Sequence, residues 1–199
     1  MTFLKDTNSG KLLKEIRANS PLIWNISNFV SMDIAANMLL SIGASPAMAH
    51  AIEEAESFAN LSKAINGALT INIGTFDKHW QKCAVKVANE AKLHNIPWVL
   101  DPVGAGASEF RSNNAKELLF LKPTVLRGNG SEIISISGIS NSGKGVDSTS
   151  SSNEALDAAI KISNDNDIIV AITGEVDYVT NGSKAVSYTH LTLPTRLPV

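Results

Sequence analysis

The residues of this chain that could do chemistry gather in one stretch, from Pro97 to Glu132. It reads Pro97-Trp-Val-Leu-Asp-Pro-Val-Gly-Ala-Gly-Ala107, then Phe110-Arg111, then Leu126-Arg-Gly-Asn-Gly-Ser-Glu132. Two acids in it, Asp101 and Glu132, are of the type that holds a hydrated Mg²⁺. Arg127 can clamp phosphate oxygens through two parallel hydrogen bonds. The glycines let backbone approach an anion closely. Anion plus cation is what these types offer; the motifs are too short to name a reaction by spacing. Plainer readings stand beside them. Asp101 can be a strand-end Asp-Pro turn, Glu132 an acid in a first helical turn, and Arg127 half of a surface ion pair. Thr173, before Gly174, can be a strand-end hydroxyl bonded to backbone.

The elements that would position these residues alternate. Trp98 to Leu100 and Thr124 to Arg127 read as buried parallel strands, each ending where a parallel sheet presents a ligand. Thr2 to Asn19 reads as an amphipathic helix and Pro21 to Ile26 as the first strand. Asn25, Ser27 and Asn28 follow as local caps, or as one ligand contact at the strand's end. Ser31 to Ala44 carries apolar residues at helical spacing and Gly43 as C-cap. Ala44-Ser-Pro-Ala-Met-Ala-His50 suggests a short strand and a loop, with Met48 more ordinarily a gap-filling core residue. Glu53 to Asn66 is predicted helical, and Ala68 to Ile73 a strand. In Asp77 to Asn95, Trp80, Cys83, Ala84, Val87, Ala88 and Ala91 mark one helix face. Ser112 to Lys122 is a helix stopped by Pro123, and Glu132 to Ser137 opens another behind a Gly128-Asn-Gly130 turn. Asn141 to Asn153 reads as a surface loop, with Asn153 capping a helix to about Asn164. Asp167 to Thr173 is a strand. Val176 to Thr180 and Lys184 to Ser187 form a hairpin whose Asn181-Gly182 favours a type I′ turn. The alternation predicts an α/β fold with a mostly parallel sheet.

Composition narrows the function classes. With 199 residues, 44% of them hydrophobic and 18% charged, the chain suits one domain with a substantial core. A net charge of −2 gives no footprint for nucleic acid or an anionic membrane. No apolar run approaches the ~18 residues of a membrane span, and Met1 to Arg17 lacks a signal-peptide h-region. A lone Cys83 cannot form an internal disulfide and reads as a small core residue. His50, His79, His94 and His190 lack zinc-ligand spacing. A cytoplasmic protein is expected.

Taken in order, several motifs resemble the hydroxyethylthiazole kinase family of the ribokinase-like superfamily. They are Asn25-Ile26 with Asn28, Gly43-Ala-Ser-Pro-Ala-Met-Ala-His50, Ile71-Asn-Ile-Gly-Thr75, Leu100-Asp-Pro-Val-Gly-Ala-Gly-Ala107, Arg127-Gly-Asn-Gly-Ser-Glu132, Lys144-Gly-Val-Asp147 and Ile172-Thr-Gly174. The resemblance implies a three-layer α/β/α kinase domain over residues 1–187. It implies transfer of the γ-phosphate of ATP, with Mg²⁺, to the hydroxyl of 4-methyl-5-(2-hydroxyethyl)thiazole in thiamin synthesis or salvage. Met48 and Asn25 would contact the thiazole, Arg127 and Thr173 the ATP, and Asp101 and Glu132 the metal. A homotrimer is implied if the chain is complete. The family's Gly-Thr-Gly-Cys segment, which supplies an anion hole and the catalytic-base position, has no match, so no catalytic residue is assigned. Residues 188–199 read as a tail unlike the family, and His190 is no replacement base. A truncated kinase is therefore expected, with a defective fragment or a nucleotide-binding module as the alternative. Kinases of the hydroxymethylpyrimidine type share the expected fold.

Overall fold

In the computed structural model, which describes residues 8–138 and 148–189, helices and strands alternate as the sequence predicts. The motif at 144–147, the first seven residues of the predicted loop at 141–153, and residues 190–199 with His190 lie outside the described residues. The chain divides into two compact units, Met1–Trp98 and Val99–Val199.

The first unit holds α1 (Asn8–Asn19), β1 (Leu22–Ile26), α2 (Met32–Ile42), β2 (Ser45–Ala47), α3 (Ala55–Ala64), β3 (Ala68–Asn72) and α4 (Lys78–His94). Strand β1 lies between β2 and β3 and is parallel to both, with Trp24 opposite Ala47 on one side and Leu69 on the other. A central parallel strand is covered on both faces, and β1 is accordingly buried nearly throughout. Trp24 is fully buried and stacks on Phe58 with ring centroids 5.5 Å apart. Helix α4 buries all six residues of its predicted face, Trp80, Cys83, Ala84, Val87, Ala88 and Ala91. Asp77 caps it by accepting from the Trp80 amide at 2.8 Å, and Asn95 ends it in the left-handed region at φ 55°. Gly43 ends α2 at φ +95°, as expected. The apolar stripe of α2, however, is only partly covered. None of its residues is buried, and Ile34 and Met38 are 69% and 58% exposed.

The second unit holds β4 (Trp98–Asp101) from its second residue on, α5 (Glu109–Phe120), β5 (Val125–Asn129), α6 (Gly130–Ser137), α7 (Ser148–Asn166), β6 (Ile169–Thr173), β7 (Asp177–Thr180) and β8 (Ala185–Tyr188). Strands β4, β5 and β6 are parallel neighbours in that order, and β7 and β8 continue antiparallel from β6. Leu100, Leu126, Ile133 and Val170 form its dry interior.

Four local readings change. Helix α5 begins three residues before the predicted Ser112, because Ser108 accepts from the Arg111 amide and caps it earlier. Helix α6 begins at Gly130, so Gly128 and Asn129 end a strand and do not form a free turn. Helix α7 begins at Ser148, which places Asn153 inside it and not at its cap. The hairpin has a four-residue connection: Thr180 pairs with Ala185, and Asn181 Oδ1 accepts from the amides of Ser183 and Lys184. Of the Asn-Gly pair only Gly182 has positive φ, at 83°, whereas type I′ needs two such residues.

Cys83 is 1% exposed, and its thiol donates to the His50 carbonyl at 3.0 Å. Burial, seconded by the charge of Glu53, pushes its pKa from 9.0 up to about 11. A thiol raised on folding favours the protonated form, so its contribution is whole below pH 9 and lost as pH rises toward 11. A tenfold change in proton affinity is worth about 1.4 kcal/mol, so up to roughly 2–3 kcal/mol of stability should disappear across that window. Urea melts from pH 8 to 11 are expected to show a steeper decline in the parent than in Cys83→Ala.

Candidate functional site

The side chains expected to act lie in both units, at the carboxyl ends of parallel strands. In the second unit Asp101 ends β4, Arg127 lies in β5, Glu132 sits in the first turn of α6, and Thr173 ends β6. Carboxyl ends of parallel strands are where open α/β sheets bind ligands, because the following turns and helix N-termini converge there.

Glu132 is the most constrained of these. Its residue is 8% exposed, and both carboxylate oxygens accept backbone hydrogens. Oε1 accepts from the Gly104 amide at 2.9 Å, and Oε2 from the Asn129 amide at 2.9 Å. In return Asn129 Oδ1 accepts from the Glu132 amide at 3.0 Å and from the Ser131 hydroxyl at 2.7 Å. Asn129 and Glu132 thus form a reciprocal capping box at the start of α6. The second bond reaches further, tying the turn after β4 to that helix. Arg111 holds the same turn from α5, donating from Nη1 to the Val103 carbonyl at 3.0 Å. Gly104 has φ +77°, so the turn favours glycine for its conformation, and a Cβ there would also crowd Arg111 Cδ at 3.0 Å.

Asp101 and Arg127 meet directly. Arg127 Nη1 donates to Asp101 Oδ2 at 3.2 Å, with the arginine side chain half exposed and the aspartate side chain 20% exposed. Thr173 is half-buried opposite Asn129 in the β5–β6 register, and its hydroxyl donates to the Gly128 carbonyl over a long 3.4 Å. Asp101 therefore stands with Arg127, Thr173 stands beside the end of β5, and Glu132 is committed to backbone.

In the first unit Asn25 is 4% exposed, and its amide bridges strands. Nδ2 donates to the Ile23 carbonyl at 2.6 Å, while Oδ1 accepts from the Thr70 hydroxyl at 2.7 Å. Met48 is half-buried just past β2, on a segment pinned at two points. Trp24 Nε1 donates to the Ala49 carbonyl at 2.7 Å, and Cys83 holds the His50 carbonyl. The His50 ring stacks on Trp80 at 4.6 Å, and Phe29 meets the same indole edge-on at 5.2 Å. Asn28 does the capping expected of this cluster. Its Oδ1 accepts from the Val30 and Ser31 amides at 3.0 and 2.9 Å, and its Nδ2 donates to Asn72 Oδ1 at 2.7 Å.

Asn129, Arg111, Trp80 and Asn72 are residues to which sequence reasoning gave no role at the site. Only Asn129 carried a usable signal, since Asn three residues before Glu is a capping-box pattern. Among the described residues, no cluster of three or more His, Cys, Asp or Glu side chains gathers as a metal cage, and no helix is long and apolar enough to cross a membrane.

Residues 13–192 match the hydroxyethylthiazole kinase family. A hydroxyethylthiazole kinase of Rhizobium rhizogenes is 49% identical over 179 residues, 90% of this chain and 65% of that protein. One from Leptospira interrogans is 49% identical over 178 residues, 88% of this chain and 64% of its own length. This chain thus spans just under two thirds of these relatives. The solved hydroxyethylthiazole kinase of Pyrococcus horikoshii superposes with TM-score 0.79 at 38% identity, covering 95% of this chain and 67% of that one. Pyridoxal kinase from Staphylococcus aureus, solved with pyridoxal, superposes at TM-score 0.60 with 16% identity over 84% of this chain and 70% of its own. That likeness concerns the fold alone. The fold class is ribokinase-like α/β, as the sequence led us to expect.

The geometry separates a structural acid from a half-exposed pair. Glu132→Ala removes a capping box and takes the acceptors from the part-buried Gly104 and Asn129 amides, which should cost roughly 1–3 kcal/mol. Arg127→Ala breaks a half-exposed ion pair and should cost under ~1 kcal/mol. Denaturant melts of the two variants are expected to differ in that order.

Proposed function

The chain belongs to the hydroxyethylthiazole kinase family, and from that premise we propose that it supplies the nucleotide and thiazole sites of an ATP-dependent kinase. The acceptor is the primary hydroxyl of 4-methyl-5-(2-hydroxyethyl)thiazole, and the product its phosphate, used in making or salvaging thiamin. The observation that carries this reading is the Asp101–Arg127 pair at 3.2 Å on neighbouring strand ends, beside a glycine turn gripped by Glu132.

Phosphoryl transfer asks the protein for positioning and charge neutralisation more than covalent work. Arg127 would leave Asp101 and clamp phosphate oxygens, with the Thr173 hydroxyl donating to the same nucleotide. Two carboxylates do not make a closed cage, which suits Mg²⁺ keeping most of its waters. Asp101 and Glu132 would hold it, Glu132 through waters because both its oxygens already accept amides. When bound, the metal supplies charge neutralisation at the phosphates. Met48 would lay its thioether against the thiazole on a segment fixed by Trp24 and Cys83, with Asn25 beside it. The exposed apolar face of α2 would pack against further copies in a homotrimer. A cytoplasmic setting agrees with a single, buried, unpaired cysteine.

Phosphorylation of the thiazole alcohol, run against the hydroxymethylpyrimidine alcohol, tests the reading. Preferred transfer to the thiazole is expected, and preference for the pyrimidine would overturn the assignment. ATP binding without transfer would leave a nucleotide-binding module. Arg127→Ala should weaken ATP binding about 10–100-fold, the worth of a charge-assisted hydrogen bond. On α2, Ile34→Glu with Met38→Glu should shift sedimentation from trimer to monomer.

A further inference from the structure

The glycine turn after β4 has the backbone of an anion cradle. Gly104 and Gly106 both have positive φ, 77° and 96°, and successive amides in such turns can converge on a bound anion. Here, however, each amide from Gly104 to Ala107 has an acceptor within the protein. Gly104 donates to Glu132 Oε1 at 2.9 Å, and Ala105 to the Pro102 carbonyl at 2.9 Å. Gly106 donates to the Ser112 hydroxyl at 2.9 Å, and Ala107 to the Gly104 carbonyl at 3.0 Å. A phosphate taking these hydrogens would have to displace acceptors already in place, one of them a carboxylate. Anion binding at this strand end therefore falls to side chains.

Ser112 is the member of this set that has no role so far. It is half-buried in the first turn of α5. Its hydroxyl accepts from Gly106 and donates to the carbonyl of Ser108, the N-cap of that helix, at 2.9 Å. One side chain thus ties the end of the turn to α5, while Glu132 and Arg111 tie its start to α6 and α5. Gly106 also lies against α6, where a Cβ would stand 3.1 Å from Ser135 Oγ. Residues 106–109 are exposed, so burial does not hold this end of the turn, and the Ser112 hydroxyl does. Asp101 leads into the turn through the buried Pro102, whose carbonyl the Ala105 amide holds.

We propose, on the nucleotide reading given above, that Ser112 is a positioning residue of the ATP site. Its hydroxyl holds the glycine turn closed, so that the turn gives phosphate no amides and Asp101 keeps its place for the metal-bound nucleotide.

Calorimetric titration of the full chain with ATP, once with Mg²⁺ and once with EDTA, tests it. Ser112→Ala should bind ATP about three- to tenfold more weakly with Mg²⁺, the worth of one hydrogen bond, and as the parent does in EDTA. Ser112→Thr keeps the hydroxyl and should restore the parent's affinity. A merely structural role would weaken both affinities together. Without any nucleotide, hydrogen exchange at the Gly106 amide should quicken in Ser112→Ala by about the same factor and stay slow in Ser112→Thr. Unchanged affinity of Ser112→Ala with Mg²⁺, an equal fall in EDTA, or no restoration by threonine would overturn the proposal. Unchanged exchange at Gly106 would overturn the role of Ser112 alone, whereas no ATP binding by the parent would overturn the nucleotide reading and this use of Ser112 with it.

Discussion

A buried carboxylate must be given hydrogen bonds, and the arrangement of the second unit follows from how Glu132 obtains them. Leaving such a charge unpaired away from water costs several kcal/mol. Glu132 meets the demand with two backbone amides from different elements, Gly104 and Asn129. Each amide dictates sequence around it. Gly104 must reach φ +77° beneath Arg111. At Gly128 a side chain would crowd the carboxylate, since a Cβ would stand 3.1 Å from Glu132 Oε2. Asn129 must return the bond to the Glu132 amide to start α6. Strand ends β4 and β5 are thereby fixed to one helix N-terminus, and Asp101 and Arg127 ride on those strands.

The first unit solves a similar problem with neutral groups. Asn28 caps the backbone before α2 and bonds Asn72, which in turn accepts from the Gly74 amide at 2.9 Å. A Cβ at Gly74 would stand 2.6 Å from Asn28 Nδ2, so glycine again makes room for a polar side chain bridging strand ends. Asn25 and Thr70 repeat the bridge one pleat earlier. In both units, then, the glycines of the recognisable motifs serve polar side chains already present, before any ligand is considered.

That is why much of the fold and part of the site were legible in the sequence. Periodicity names the face of α4 correctly because its six apolar residues meet core within the same unit. The same reasoning identifies the stripe of α2 but not what covers it, since a period carries no information about partners. Local polar chemistry was the harder part. Ser108 and Asn129 start helices earlier than the apolar pattern does, and Asn181 folds the hairpin turn around its own side chain. Helix α7 extends back to Ser148, past an asparagine whose capping preference is outweighed by the packing of Ala155, Ala158, Ala159 and Ile162. The acids were found by type; that Glu132 is held by amides while Asp101 is held by arginine depends on strand order, which spacing does not give.

The difference between these two acids bears on mechanism. An Arg–Asp pair at 3.2 Å with a half-exposed guanidinium contributes little to stability, because water competes for both ends. Opening it is correspondingly cheap. In the proposed reaction Arg127 must exchange a carboxylate for phosphate oxygens, and Asp101 must turn toward a cation, so a weak resting pair lowers the cost of both moves. Glu132 has the opposite requirement. If it moved, the glycine turn after β4 and the first turn of α6 would lose their shared anchor, and the strand ends would no longer hold the other two side chains in register. A site of this kind needs one acid that stays and one that yields, and burial is what assigns the roles: 8% exposure for the residue that holds the scaffold, and an exposed arginine on the residue that must let go.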